Sequence, residues 1–293
     1  MNKLSFGKRT QVVTALVEGC SIASTCRMAG VAKMTVLSLI REVGTACLSF
    51  HDAQVRHLST VERVQCDEVW SFCYSKQKNV PEQFRGVSGY GSMWTWTALD
   101  PDSKLMISWI VSDRNQEAAD ALIRDLKKRV FWRVQISTDG LPEYFNAILK
   151  TFRYGEADHG EVVKTYASSK PVPGTSPKSA ASRYSPGRLM KIEKRIAFGQ
   201  PLDKHISTSY MERWNLTLRM QNRRFTRLTN AFSKKAENHC LMLAISMVYY
   251  NFCRKHRSLQ GRTPAMAAGI TKYVWTASDL LALDMWHNEA AAA

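Results

Sequence analysis

The order of apolar patterns between Arg63 and Tyr166 limits the fold more than any other feature of the chain. Three runs rich in β-branched and aromatic residues come first: RVQCDEVWSFCY (63–74), SMWTWTALD (92–100) and KLMISWIVS (104–112). The last two flank Asp100-Pro101-Asp102-Ser103, a turn sequence. Helical spacing follows in NQEAADALIRDLKKRV (115–130), with Ala118, Leu122, Leu126 and Val130 on one face. WRVQIST (132–138) reads as a fourth strand ending at Asp139-Gly140, Pro142 to Phe152 as a helix, and Glu161–Tyr166 as a fifth strand. Strand, strand, strand, helix, strand, helix, strand predicts an α/β fold on one mixed five-stranded sheet flanked by helices.

The flanks differ in kind. Residues 7–45 predict three short helices, with Gly30 supplying a left-handed turn between the last two. Val31, Val36 and Leu39 can pack that pair together, while Lys33 and Thr35 face outward. The segment resembles the helix-turn-helix of bacterial repressors, which implies DNA contact through Lys33, Thr35 and Arg41. The expected plan is a helix-turn-helix domain over 1–48, a linker over 49–62, a core over 63–254 and a C-terminal extension over 255–293. Within the core, 167–190 is rich in Ser, Pro, Gly and basic residues and reads as an exposed loop, part of a basic insertion at about 167–205. Helix resumes at Ser209. LMLAISMVYYNF (241–252) reads as a buried core helix, Thr263-Pro264 opens a short one, and the alanines at 290–293 read as a tail.

The chain carries a net charge of +16. Between Lys150 and Lys235 there are 18 Lys and Arg against 6 Asp and Glu, so this stretch holds +12 of it. Such clustering points to a polyanionic partner, of which nucleic acid is the usual one. No run of 18 apolar residues is present, and MNKLSFGKRT lacks the apolar centre of a signal peptide, so a cytoplasmic protein with no membrane partner is expected. The 7 cysteines are odd in number and form no CxxC, which argues for reduced thiols rather than a zinc site or a disulfide framework.

Three acidic residues stand at element edges: Asp67 inside the first strand, Asp139 at the end of the fourth and Glu212 at the start of a late helix. Carboxylates in such places are costly to bury without a partner, and a divalent cation would draw several together. Each also has an ordinary explanation. Asp67 could pair with an arginine, and Asp139-Gly140 could be only a turn. Ser209-x-x-Glu212 fits a capping box, with the glutamate reaching back to the Ser209 N–H. Strand alternation puts Glu68 on the face opposite Asp67. Arg219, two helical turns after Glu212, shares its face.

An Asp in the first strand, an Asp after the fourth and a Glu on a later helix resemble the RNase H-like nucleotidyl-transferases. The stretches CDEVW, STDG, HISTSYMERWNLTLRMQNRRFTRLTNAFSKK (205–235) and YNFCRKHRSLQGRTPAMAAG (250–269) are similar to DDE-type transposases of bacterial insertion sequences, close to the insertion sequence 1 family. The resemblance implies a catalytic and metal-binding triad of Asp67, Asp139 and Glu212 holding two Mg²⁺ ions, with Mn²⁺ as a substitute. It implies strand cleavage and transfer on double-stranded DNA, in a homodimer or larger assembly associated with a bacterial nucleoid. Arg213, Arg219, Arg223, Arg224 and Arg227 are the expected phosphate contacts. The alternative is a DNA-binding protein without catalysis, such as a repressor or a domesticated copy. A tyrosine recombinase is set aside, because no histidine begins an HxxR pair.

Overall fold

A computed structural model describes residues 4–167 and 189–290. The chain begins with α1 (Phe6–Val17) and α2 (Ile22–Ala29), whose first turns are capped by the hydroxyls of Ser5 and Ser21. Gly30 closes α2 in the left-handed region at φ 62°. The next helix, α3 (Lys33–Gln54), is longer than expected at 22 residues. The boundary placed at 48 therefore falls inside a helix, and the first part of the expected 49–62 linker is helical. The cause is apolar periodicity that runs on past Val43. Cys47 and His51 are buried, and Phe50 packs on Phe252 and Trp275 at ring distances of 5.0 and 4.9 Å. His51 also approaches the Met106 carbonyl at 3.2 Å and sets its ring edge-on to Trp109.

Six strands form one mixed sheet: β1 (Arg63–Cys73), β2 (Gly91–Leu99), β3 (Met106–Ser112), β4 (Val134–Asp139), β5 (Ala157–Tyr166) and β6 (Leu189–Phe198), in the order β3-β2-β1-β4-β5-β6. β1 pairs antiparallel with β2 and parallel with β4; β4 and β5 are parallel, and β6 returns antiparallel to β5. Among the described residues the five-stranded expectation is thus corrected to six. The added strand lies in the stretch read as a basic insertion. Its Met190, Ile192 and Ile196 alternate with Lys191, Glu193 and Arg195, and all three apolar side chains are exposed. Charge on an edge strand discourages further pairing, and here it disguised the strand's period. Residues 168–188 of the expected loop, and 291–293 of the expected tail, lie outside the described residues.

The crossover helices α4 (Gln116–Arg129) and α5 (Pro142–Thr151) precede β4 and β5. On the other face, α6 (Ser209–Gln221) buries Met211, Trp214 and Leu218 in a cluster with Val69, Leu99, Met106 and Met247. Trp214, edge-on to Tyr250, is therefore a core residue. The helix α7 (Ala236–Val248), extended by a wider turn over Tyr249–Cys253, is almost wholly buried. The chain from 255 on is no appendage: Leu259, Ala265 in α8 (Pro264–Ala267), and Leu280 and Leu281 in α9 (Ala277–Ala290) are buried, all but Leu259 in the largest cluster. Among the described residues, no helix is long and apolar enough to cross a membrane.

Gly44 lets α3 approach α7. A Cβ there would stand 2.7 Å from both the Cβ and the carbonyl oxygen of Leu241. Gly7, also helical, has open space around it. Gly44→Ala is expected to lower stability by about 1–3 kcal/mol, the usual overpacking range, despite alanine's better helix propensity. Gly7→Ala should be neutral or stabilising. Urea unfolding of the two variants checks the pair, and a stabilised Gly44→Ala would refute the close approach.

Candidate active site

The parallel ladder between β1 and β4 is short. Its last pair is Gln65 with Ser137. Asp67 and Asp139 each come two residues after that pair, so they share a face and flank the notch where the strands part. Each oxygen set is fixed locally. Asp67 Oδ1 accepts the Glu68 N–H at 2.9 Å, and Asp139 Oδ1 accepts the Leu141 N–H at 3.1 Å in the turn that ends β4. The second Asp67 oxygen accepts from Asn215 Nδ2 at 2.7 Å. Asn215 sits one turn after Glu212 on α6 and is buried.

Glu68 joins them, which corrects the expectation drawn from alternation. One carboxylate oxygen each from Asp67, Glu68 and Asp139 lie within 4.8 Å of one another. Alternation fixes Cβ directions only; where β4 stops, nothing divides the two faces, and the longer glutamate reaches the notch. The Glu68 side chain is only 3% exposed and is held by Arg114 at 2.7 Å and the Tyr144 hydroxyl at 3.2 Å. Arg114 itself lies over the Trp94 ring.

The electrostatics follow from this crowding. Burial, then the charges of Glu68, Asp139 and Glu212, push the Asp67 carboxyl up to about 7. Burial also raises Asp139, and burial with the charge of Asp139 raises Glu68 against the pull of Arg114. Like charges held this close disfavour full ionisation.

Glu212 lines the same cavity, of about 480 Å³, together with Lys164, Thr208, Asn215 and Arg219. It stands apart from the three-carboxylate group and pairs with Lys164 Nζ. Its other partner is the Thr208 hydroxyl at 2.8 Å. The capping box is not formed: Thr208 is the N-cap of α6, and the Ser209 N–H donates to Ser207 Oγ at 3.2 Å. Arg219, half-buried, reaches the cavity from the second turn beyond Glu212.

The other sequence-chosen residues are scattered. Arg213 and Arg227 are exposed and Arg223 is half-buried on or just after α6. Arg224 is half-buried: its Nε donates to Ser233 Oγ at 2.9 Å, and burial lowers it to about 10. Lys33 is exposed at the start of α3, while Thr35 and Arg41 are half-buried further along it. His239 is a core residue between Ser71 and Ser233. Glu68, Asn215 and Lys164 were missed. Asn215 at three residues from Glu212 was legible from helical spacing, whereas Lys164 needed the sheet register.

No family model matches the chain, and no curated protein matches it. Among solved structures it is similar to a Mos1 transposase paired-end complex with the left transposon end, at 13% identity and a TM-score of 0.23, over 54% of this chain and 60% of that one. A Mos1 strand transfer complex is similar at 14% identity and a TM-score of 0.23, over 84% of this chain and 78% of that one. The likeness is weak.

Asp67 gives a signed pH effect. Its folded pKa lies above the unfolded one, so its stability contribution is intact below about pH 4 and is lost as pH rises through about 7. In metal-free buffer, Asp67→Asn should melt above wild type, with a gap of a few kcal/mol at pH 8 that closes toward pH 5. Thermal melts with a chelator at both pH values test this; a gap that does not change with pH would sink it.

Proposed function

We propose that the chain is a DDE-type transposase of a bacterial insertion sequence, with an RNase H-like core that cleaves and joins DNA strands. The observation that carries this is the notch between β1 and β4. Asp67, Glu68 and Asp139 crowd together there, and burial with the neighbouring carboxylates raises Asp67. Glu212 and the basic side chains Lys164 and Arg219 line the same cavity.

The donor set suits Mg²⁺, or Mn²⁺ in its place: it is all oxygen, with no thiol or imidazole among the grouped residues. The raised Asp67 carboxyl marks a negative charge that a divalent cation would relieve. Asp67, Asp139 and Glu212 are the proposed ligands, with Glu68 beside them. When bound, a pair of such ions activates the attacking oxygen and stabilises the leaving one.

The chain's own groups do the rest. Asn215 fixes the orientation of Asp67 through its 2.7 Å hydrogen bond. Arg219 presents a cation to the phosphate from the helix that carries Glu212. Arg213, Arg223 and Arg227 continue a basic track for the DNA backbone. The α2–Gly30–α3 pair reads the element ends as a helix-turn-helix, with Lys33 foremost and Thr35 and Arg41 behind it. Joining two ends calls for a homodimer or larger assembly.

The test uses a plasmid carrying the element ends with Mg²⁺ or Mn²⁺. Asp67→Asn and Glu212→Gln should each lose at least about 100-fold in nicking and joining, the upper range for disturbing a metal site, while retaining end binding in a gel shift. Arg219→Ala should flatten the log–log salt dependence of DNA binding by about 1. A wild-type protein that shifts the ends but never nicks them would leave a DNA-binding repressor in place of an enzyme.

A further inference from the structure

Lys164 is a charged group of the cavity to which the proposed chemistry gives no task. Its position is built by β6. The β4–β5 ladder ends at Asp139 with Val162, yet β5 continues to Tyr166 because β6 pairs with it, Lys164 lying opposite Ile192. Val162, Lys164 and Tyr166 therefore extend along the cavity wall past the end of β4. The Lys164 side chain is 25% exposed, and its ammonium donates to Glu212 Oε1. The same oxygen accepts the Thr208 hydroxyl at 2.8 Å. Glu212 is thus neutralised from one side and tethered from the other, outside the group formed by Asp67, Glu68 and Asp139.

An ammonium and a divalent cation compete for the same carboxylate charge, and a glutamate engaged by one is less available to the other. We infer that Lys164 is a positioning residue that stands in for a cation at Glu212, keeping it off the Asp67–Glu68–Asp139 group until a divalent ion displaces the ammonium. The inference rests on the metal-dependent reading above. It gives the β5–β6 hairpin a function: the hairpin carries a built-in competitor that raises the metal concentration at which the fourth carboxylate is recruited.

The test is Mn²⁺ binding to the full-length protein without DNA, followed by electron paramagnetic resonance of free Mn²⁺. Lys164→Met should tighten Mn²⁺ binding about tenfold, within the range of coupling between contacting groups. Lys164→Arg, which keeps the charge and the pairing, should stay near wild type. In a Glu212→Gln background, Lys164→Met should change affinity by less than about twofold, because the lysine acts through the glutamate. Equal tightening in both backgrounds would mean a general field effect and overturn the inference, as would no tightening at all. Asp67→Asn separates the two levels. If it abolishes Mn²⁺ binding while Lys164→Met is silent, the lysine's role alone falls. If it binds Mn²⁺ like wild type, the metal reading falls and takes this inference with it. Melting curves with a chelator establish that each variant is folded.

Discussion

The structure depends on where two parallel strands stop pairing. β1 and β4 share a ladder only as far as Gln65 and Ser137, and both then continue or turn without one another. A pleated pair offers no room for two carboxylates on adjacent strands, but its end does. Asp67 and Asp139 occupy that end, and each uses one oxygen to bind a main-chain N–H that the missing ladder left free. The backbone has to be satisfied somewhere, and here the acids themselves do it. The notch, the burial and the mutual repulsion that raises Asp67 all follow from that one interruption.

The fold was legible where periodicity was clean. The three opening strands, the α4 and α5 helices and the short fourth strand need only alternation or helical spacing, and the structure shifts their ends by a residue or two. The misses have physical causes. β6 is an edge strand exposed on both faces, so its alternating apolar residues are not buried, and Lys191, Lys194 and Arg195 resemble a solvated loop. The run of α3 past residue 48 carries a thinner apolar stripe, Phe50 and His51 among exposed neighbours, and Phe50 packs on Phe252 and Trp275, more than two hundred residues away in sequence. The partners in such contacts are not legible from the local pattern.

The site was legible in part for the same reasons. Asp67 and Asp139 sit at strand positions that a pattern can reveal. Glu68 was read on the wrong side, because alternation describes Cβ atoms in an intact ladder and this ladder ends beside it. At Glu212 a local rule pointed to capping, yet Thr208 takes the cap position and leaves the carboxylate to the cavity. Arg224, counted among the surface charges, is half-buried with one nitrogen engaged by Ser233. Composition counts charges but cannot say which way they point.

The length of α3 has a geometric consequence. Its exposed beginning at Lys33 and its buried end at His51 belong to one uninterrupted helix wedged against α7. Its 22 residues, at about 1.5 Å each, make a rod of about 33 Å. A head on such a rod cannot swing as it would on a tether. The N-terminal helices therefore keep a constant offset from the carboxylate notch, set by the helix itself.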